Sequence, residues 1–188
     1  CHGSVLAHVV FNFLITGISR ATAMELNRHA VGAAISQEST RYVNCEKARV
    51  VVPPVIARAA ERDPRVWALW NTAVSQSQHA YATLSDRLEK LFEGETTMSK
   101  FELRKTVRGA ARSVLPHALE TKGMWSYNIR ALRNIVEQRA SEGAEEEINV
   151  LANEMLALVW KHIPSLVGDY KTTKVGTRFV VSTQNRKV

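Results

Sequence analysis

The sequence predicts an α+β fold in which helices dominate and a small, mainly antiparallel sheet completes a single domain over residues 1–188. Two patterns carry this prediction. Apolar residues alternate between residues 9 and 15, as on one face of a β-strand. Between residues 64 and 92, apolar residues instead recur at spacings of mostly three, four or seven, which indicates one long amphipathic helix. A chain of 188 residues can bury one sizeable core, whereas two full domains would be cramped.

The first part of the chain is predicted to run from a strand through a short helix into a loop. Gly17 is expected to end the strand, and Ser19 is a suitable N-cap for a helix from residue 20 to about residue 29. Residues 30–43 show no helical period and contain the small and polar residues of a loop. A short strand is predicted at residues 41–43.

Start and stop signals predict the helices that follow. Pro54 is well placed to open one helix, and Asp63 before a proline opens the long helix that ends near residue 92. Ser99 and Glu102 form a capping box for the next helix, which is expected to stop at residues 115–116 because a proline follows.

The last third is predicted to alternate between extended and helical segments. Residues 121–127 are expected to be extended, and Asn128 is an N-cap for a helix through about residue 140. Gly143 separates this helix from a final one at residues 144–163, and residues 178–181 read as a strand.

Charge and cysteine content restrict the partners and the compartment. Lys and Arg total 25 against 18 Asp and Glu, a net charge of +7, which suits an anionic partner of any size. Two cysteines cannot build a disulfide framework, so a reducing, cytoplasmic setting is expected. The longest apolar stretch, residues 5–18, is too short and too polar to cross a membrane, and no membrane partner is predicted.

A basic segment at residues 28–42 is the first candidate site. Arg28 and His29 form a cationic pair at a helix end, and Ser39 and Arg41 follow a turn of small residues. Arginine offers a rigid fork of N–H donors that matches a phosphate, and a serine hydroxyl with backbone N–H groups can complete such a site. The alternative is two solvated arginines and a structural histidine, since short basic motifs often arise by chance.

Asparagines and arginines on one predicted helix form the second candidate site. Asn128 and Arg139 are eleven residues apart and so lie on nearly the same face. Arg130 and Asn134, four apart, share a different face. Polar groups in two directions suit a helix between two polar ligands. The alternative is an exposed helix on which Arg133 makes ordinary surface pairs.

Taken in order, these motifs resemble those of the flavin-dependent thymidylate synthases, the ThyX type. The hallmark of that family is Arg-His-Arg followed after seven residues by serine, and residues 28–29 with Ser39 resemble it. Each motif alone is weak, but the likeness covers residues 1–164, and so many motifs in order are specific. Further similar motifs are His2-Gly3-Ser4 with His8, Gly17-Ile18-Ser19-Arg20, Ala111-Arg112-Ser113-Val114-Leu115-Pro116, Asn128-Ile129-Arg130, and Arg139 with Ala144 and Glu147-Ile148.

The resemblance implies a fold, a reaction and an assembly. The fold would be that of the family. The reaction would be reductive methylation of uracil C5 in dUMP or UMP, with flavin adenine dinucleotide (FAD) as cofactor and NADPH and methylenetetrahydrofolate as co-substrates. The assembly would be a homotetramer whose active sites draw residues from several chains. No cysteine nucleophile is needed, which agrees with Cys45 as a small buried residue.

The resemblance also implies roles for individual residues, and none of them binds a metal. Arg139 is the expected catalytic residue, because it would face the uracil carbonyl region and stabilise negative charge there. Glu25 and Gln37 would contact the sugar or base of the nucleotide. His2 and Ser4 would lie near the flavin ring. The cofactor set is His2, Ser4, Arg28, His29, Asn128, Arg130 and Asn134; the substrate set is Glu25, Gln37, Ser39, Arg41, Arg112 and Arg139, of which Ser39, Arg41 and Arg112 would hold the phosphate.

This sequence departs from the family pattern in three places. Ala30 stands where the family has the second arginine, and one extra residue precedes Ser39. Both changes favour the atypical relatives of nucleoside-antibiotic pathways, which methylate UMP, but they leave the choice between dUMP and UMP open. The family segment before His2 has no counterpart, so a truncated sequence or a shortened member is expected.

Two other functions compete with this interpretation. A basic helical module that binds nucleic acid would suit the charge, but Lys and Arg are dispersed and no known nucleic-acid-binding motif is present. A family member that kept the fold and lost the reaction would show the same motifs.

Overall fold

A computed structural model describes residues 3–94 and 97–185 of the chain. The described residues contain three short 3-10 segments, at Gly3–His8, Arg112–Val114 and Pro164–Leu166. The strands are β1 Val10–Ser19, β2 Ala33–Gln37, β3 Glu120–Asn128, β4 Lys171–Val175 and β5 Arg178–Ser182. The helices are α1 Arg20–Asn27, α2 Pro54–Arg62, α3 Pro64–Phe92, α4 Lys100–Ala111, α5 Ile129–Arg139 and α6 Glu146–His162. The predicted helix-dominated α+β class is confirmed.

The described residues fall into two compact units. The first contains the residues up to Gln37 together with those from Lys122 onward. The second contains the residues from Glu38 to Thr121. The prediction of one domain over residues 1–188 stays a prediction.

A three-stranded sheet in the order β1-β3-β2 forms one layer of the first unit. Phe13 and Ile15 point into the core, so the predicted alternation is confirmed. The expectation that Gly17 ends the strand is wrong, because β1 continues to Ser19. Gly17 has a φ of 74°, in the left-handed region that favours glycine, and the alternation resumes one residue later with Ile18 buried.

Strand β2 was not expected, and the strand predicted at residues 41–43 is a turn and bend. Strand β2 runs antiparallel to β3, with Ile35 opposite Trp125 and Gln37 opposite Gly123. It lies at the edge of the sheet and is poor in β-branched residues, so its conformation depends on pairing with a strand far away in the sequence. Local propensity therefore misplaced it by several residues.

Helices α1, α5 and α6 pack with the sheet to form the core of the first unit. Trp125 and Tyr127 of β3 are fully buried, as is Leu132 of α5. Two predicted N-caps hold the helix starts in place: Ser19 Oγ accepts from Thr22 N at 3.1 Å, and Asn128 Oδ1 accepts from Ala131 N at 2.8 Å. The start of α5 is thus fixed by a residue that was also predicted to bind a ligand.

A β-hairpin of β4 and β5 follows α6 in the first unit. Lys171 pairs with Ser182 and Val175 with Arg178 in an antiparallel register. The predicted strand at residues 178–181 is confirmed as β5, whereas β4, with every residue exposed, was missed.

The second unit consists of α2, α3 and α4 around a small core. That core contains Cys45, whose predicted burial is confirmed, together with Tyr81 and Leu119. The predicted helix starts at Pro54, Asp63 and Ser99 are also confirmed, the last with both bonds of its capping box. Helix α4 ends at Ala111 and continues as a 3-10 turn to Val114. Among the described residues, no helix combines the length and the hydropathy that a membrane span requires.

Candidate functional site

Three side chains meet where the C-terminal ends of α1 and α5 approach each other. The Nε of Arg139 donates to His29 Nε2 at 3.1 Å, and its Nη1 donates to Glu25 Oε2 at 2.6 Å. The side chains of Arg139 and Glu25 keep 21% and 25% of their exposure, so the pair is partly shielded and still reachable. We call these three residues the Arg139 cluster.

At pH 7 the imidazole in this cluster is neutral. Burial lowers the pKa of His29 below its ordinary value of 6.5, and the positive charges of Arg139 and then Arg28 lower it further. A neutral imidazole can accept from Arg139 only if its Nε2 carries no proton. The guanidinium of Arg139 is therefore held by a carboxylate on one side and a ring nitrogen on the other, and its other N–H groups can serve a ligand.

A cavity of about 460 Å³ opens beside the cluster. It is bordered by predicted cofactor and catalytic residues of α5 and of the segment that follows α1, and by short apolar side chains. The lining consists of Arg28, His29, Ala30, Val31, Ala131, Asn134, Gln138 and Arg139. We call it the Arg139 cavity. Its cationic and amide N–H groups favour an anionic or carbonyl-rich ligand.

A second cavity, of about 560 Å³, lies at the N-terminal end of α5. It shares Val31, Ala131 and Asn134 with the Arg139 cavity, so the two adjoin. We call it the Asn128 cavity. Its lining consists of Ala7, Val31, Gly32, Asn128, Arg130, Ala131, Arg133, Asn134 and Glu137. The linings of the two cavities together contain six of the predicted residues: Arg28, His29, Asn128, Arg130, Asn134 and Arg139.

Gly32 gives the Asn128 cavity its wall. It has a φ of 74°, and a Cβ built on it would stand 2.5 Å from Asn128 Nδ2. The carbonyl of Gly32 accepts from the backbone N of Asn128 at 2.9 Å. Only glycine therefore lets the turn before β2 lie against the cap of α5.

Three other predicted residues of this region lie away from the two cavity linings or outside the described residues. Ser4 is exposed in the first 3-10 segment. Gln37 Oε1 accepts from Asn27 Nδ2 at 3.0 Å, and Asn27 Oδ1 accepts from Trp125 Nε1 at 2.8 Å, so the amide of Gln37 is anchored to the sheet. His2 lies outside the described residues.

The three residues predicted to bind phosphate all belong to the second unit. Arg112 Nη1 donates to Thr40 Oγ1 at 3.4 Å, and Ser39 Oγ accepts from Arg41 N at 3.4 Å. Arg41 Nε lies 3.6 Å from where a Cβ built on Gly109 would stand, which places the guanidinium beside α4. The segment with Ser39 and Arg41 therefore lies next to Arg112, as a shared anion site requires.

Helix α4 holds this segment through Tyr42. The carbonyl of Tyr42 accepts from Arg108 Nη1 at 2.6 Å, and its ring stacks on Phe101 with centroids 6.3 Å apart. The Nζ of Lys105 lies 5.2 Å from the same ring centroid. Arg108 thus adds a cation to the neighbourhood that the sequence pattern did not single out.

Arg133 differs most from its expected environment. Instead of a surface pair, it is buried and forms two hydrogen bonds of 2.7 Å with Asp169. Similarly, Glu147 accepts from the backbone N and the Oγ of Ser19, at 2.6 and 2.7 Å. Both partners lie far away in the sequence, so no local spacing could have revealed them.

Comparisons with known proteins agree with the motifs. The family model described as Thymidylate synthase complementing protein matches residues 1–165. The flavin-dependent thymidylate synthase of Mycolicibacterium gilvum is 41% identical over 183 residues, which is 97% of this chain and 70% of that protein. That of Clostridium tetani is 36% identical over 165 residues, covering 88% of this chain and 64% of the relative.

Solved structures give the same result. A crystal structure of ThyX from Helicobacter pylori with FAD and dUMP superposes with a TM-score of 0.55 and 26% identity, over 83% of this chain and 70% of that one. A second structure of the same enzyme, also complexed with FAD and dUMP, has a TM-score of 0.55 and 25% identity. The resemblance inferred from the motifs is confirmed, and the chain belongs to the flavin-dependent thymidylate synthases, a family of enzymes.

Proposed function

We propose that this chain methylates C5 of uracil in a uridine monophosphate, with FAD as cofactor and methylenetetrahydrofolate and NADPH as co-substrates. The observation that carries the proposal is the Arg139 cluster: a guanidinium oriented by Glu25 and His29 at the edge of a cavity. The H. pylori enzyme, which was crystallised with FAD and dUMP, supports the choice of ligands.

The residues of the two cavities fit a flavin dinucleotide. Its diphosphate needs cations and N–H donors, which Arg28, Arg130 and Asn134 would provide. Its flat ring needs apolar surface, and Val31 and Ala131 border both cavities. When bound, FAD would supply the redox chemistry of the reaction, while the protein contributes position and charge.

Several predicted cofactor contacts remain part of this proposal. Asn128 would offer its side-chain N–H groups while its Oδ1 caps α5. His29, which is neutral, would border the cofactor as well as hold Arg139. Ser4 and His2 are proposed to lie near the flavin ring.

The nucleotide would be held by both hydrogen-bond donors and hydrogen-bond acceptors. Ser39, Arg41 and Arg112 would bind the phosphate, because two guanidinium groups and a hydroxyl match its charge and its acceptors. Glu25 and Gln37 would contact the sugar or base. Each of these two side chains already has a partner in the structure, so each would keep its orientation when the nucleotide arrives.

Arg139 is the proposed catalytic residue. When C5 of uracil is activated as a carbon nucleophile, the negative charge is shared with the C4 carbonyl oxygen as an enolate, and a fixed guanidinium stabilises that charge. The Arg139 cluster orients the guanidinium before the substrate binds, so little reorganisation is needed during the reaction. Glu25 offsets part of the positive charge, which keeps a partly buried arginine from carrying its full charge alone.

The assembly and compartment are proposed with the function. A homotetramer with shared active sites would bring residues of other copies to each site, and a cytoplasmic enzyme would meet its nucleotide substrate directly. Sedimentation or light scattering of the purified protein would measure the number of copies. A monomer with full activity would contradict the shared site.

One assay tests the reaction and resolves the sugar. The protein is loaded with FAD, supplied with NADPH and methylenetetrahydrofolate, and offered dUMP or UMP in separate reactions. We expect a 5-methyl product from one of them, detected by mass. A protein that takes up no added FAD and forms neither product would overturn the proposal, and salt-sensitive binding to a polynucleotide would favour the nucleic-acid-binding alternative.

A matched pair of variants separates a working enzyme from one that kept only the fold. Arg139→Ala should reduce methylation to a trace while FAD remains bound, and Arg139→Lys should retain more activity than Arg139→Ala because it keeps a point charge in place of the fork. Turnover that survives Arg139→Ala at close to the wild-type rate would remove Arg139 from its role.

A further inference from the structure

We propose that the segment after α6 holds α5 in the position that shapes both cavities, and that Asp169 is a positioning residue that acts through Arg133. We call Asp169, Tyr170 and Val181 the C-terminal clamp. The family model ends at residue 165, so the clamp lies beyond the part of the chain it matches. None of its residues borders the Asn128 cavity or the Arg139 cavity.

The first contact of the clamp is the ion pair between Arg133 and Asp169. Nη1 and Nη2 of Arg133 donate to the two carboxylate oxygens, each at 2.7 Å, and Nη1 also donates to the carbonyl of Leu166 at 3.0 Å. Asp169 accepts further hydrogen bonds from Thr183 Oγ1 and from Asn185 Nδ2 at 3.2 Å. The carboxylate is therefore fixed on both sides and cannot follow a shift of the arginine.

The second contact is Tyr170. Its ring lies 4.5 Å from the guanidinium carbon of Arg133, a cation–π arrangement. Its hydroxyl donates to Glu137 Oε1 at 2.9 Å. Burial raises the pKa of Tyr170 far above its ordinary value, so the hydroxyl stays a donor. Tyr170 thus binds α5 at two residues that also line the Asn128 cavity.

The third contact is at the end of α5. The backbone N of Val181 in β5 donates to the carbonyl of Ala140 at 2.7 Å. Asn149 of α6 joins the same region, because its Nδ2 donates to the carbonyl of Phe179 at 3.0 Å and lies 3.4 Å from that of Arg139. The clamp therefore reaches α5 at its middle and next to the catalytic residue proposed above.

Directional contacts do what the apolar face of α5 cannot. Leu132, Ile135 and Val136 keep the helix on the core, but apolar burial is not directional and tolerates small slides and rotations. A two-bond arginine–carboxylate pair tolerates very little displacement, since both bonds depend on distance and angle. Buried ion pairs add little net stability, but they can select one arrangement of the elements that they join. Here that arrangement sets where Asn128, Arg130, Asn134 and Arg139 stand.

The central test is Asp169→Asn, and its ligand readouts rest on the proposed function. Asparagine keeps the shape and removes the charge and one acceptor, so the arginine loses its fixed partner. We expect the FAD dissociation constant to rise about tenfold, and kcat to fall by on the order of a hundredfold, because small misplacement of a site helix is costly. The KM for the nucleotide should change less, since its phosphate residues belong to the other unit.

Thr177→Val is the matched control. Thr177 lies in the same segment, and its Oγ1 donates to Glu146 Oε1 at 2.6 Å, away from α5. This variant should lower the unfolding temperature while the FAD dissociation constant and kcat stay at their wild-type values. If Asp169→Asn and Thr177→Val affect FAD binding and kcat equally, the clamp only stabilises the fold and the inference is wrong.

A readout without ligand separates this inference from the proposed function. Amide hydrogen exchange in α5 should become faster in Asp169→Asn than in Thr177→Val at equal distance from the unfolding transition. A wild-type protein that binds no FAD would overturn the proposed function, whereas unchanged exchange in α5 would overturn the clamp. Should Asp169→Asn fail to fold, Thr183→Val removes one donor to Asp169, and the same comparisons of exchange, FAD affinity and kcat apply to it.

Discussion

Two arginines on α5, six residues apart, show how one residue type serves two purposes in this protein. Arg133 pairs with Asp169 in the turn before β4, and Arg139 pairs with Glu25 of α1. The Arg133 side chain is 6% exposed and both its Nη groups bind Asp169, whereas that of Arg139 is 21% exposed and reaches Glu25 with one Nη group. The first pair is closed and the second still has donors to offer. Accessibility of the guanidinium, and not the presence of an ion pair, marks the candidate catalytic residue.

The titratable groups beside the two arginines both have lowered pKa values, but for different reasons. Hydrogen bonds from Arg133, more than any other cause, hold the pKa of Asp169 far below its ordinary value. Next to Arg139, burial lowers the pKa of His29 and keeps the imidazole neutral. In one region both Nη groups of the arginine bind the carboxylate, whereas in the other only one does, and four predictions use this contrast.

Removal of Arg139 should have the largest effect. Arg139→Ala takes away the donor that would stabilise charge on the uracil ring, so kcat should fall by about a thousandfold, as after loss of an oxyanion-hole donor. FAD absorbance of the purified complex should persist, since other residues are proposed to bind the cofactor. A kcat within a few-fold of wild type would make the two arginines equivalent and end the comparison.

Removal of Arg133 should lower stability as well as release α5 from the C-terminal clamp. Arg133→Leu leaves Asp169 partly buried without its partner, so the free energy of unfolding should fall by about 3 kcal/mol. Urea unfolding followed by circular dichroism would measure the loss. The solvent-exposed pair of Asp86 and Lys90 provides the control, because Lys90→Ala should change stability only slightly.

Glu25→Gln should have a smaller effect, confined to the reaction. Glutamine can still accept from Arg139 but carries no charge, so the guanidinium is oriented less firmly and kcat should fall by roughly tenfold. Stability should change by less than about 1 kcal/mol, because glutamine keeps the hydrogen bond and both side chains are still partly exposed to solvent. A loss of stability as large as that of Arg133→Leu would contradict the distinction between the two regions.

The pH dependence of stability should show two separate acid limbs of smaller size. The folded-state pKa of His29 is lowered, so the unfolded chain binds more protons, and stability falls as the pH drops from 6.5 toward that lower value. Asp169 contributes stability that is present above its ordinary pKa of 3.8 and is lost only as the pH falls below it. His29→Asn should remove the first limb alone, and Asp169→Asn the second. Unfolding in urea across this pH range would measure both.

Helix boundaries and the family motifs were predictable because their causes are local. Ser19, Asp63, Ser99 and Asn128 cap the helices that follow them through bonds spanning two or three residues. The missed strand β2 has the opposite origin. Its backbone is extended because it pairs with β3, far away in the sequence, and an edge strand need not carry a strong β-propensity. Strand β4 is a different case, because its partner β5 follows it directly in a hairpin.

The candidate site divides along the same line. The amino-acid sequence by itself determined the family, the helix that carries Asn128, Arg130, Asn134 and Arg139, and the residue types expected around a flavin and a nucleotide. Only the tertiary structure decided which arginine is closed and which is open, because burial and the carboxylates that meet each guanidinium depend on contacts across more than 30 residues. Spacing along a helix gives the direction of a side chain but not the residue that it contacts.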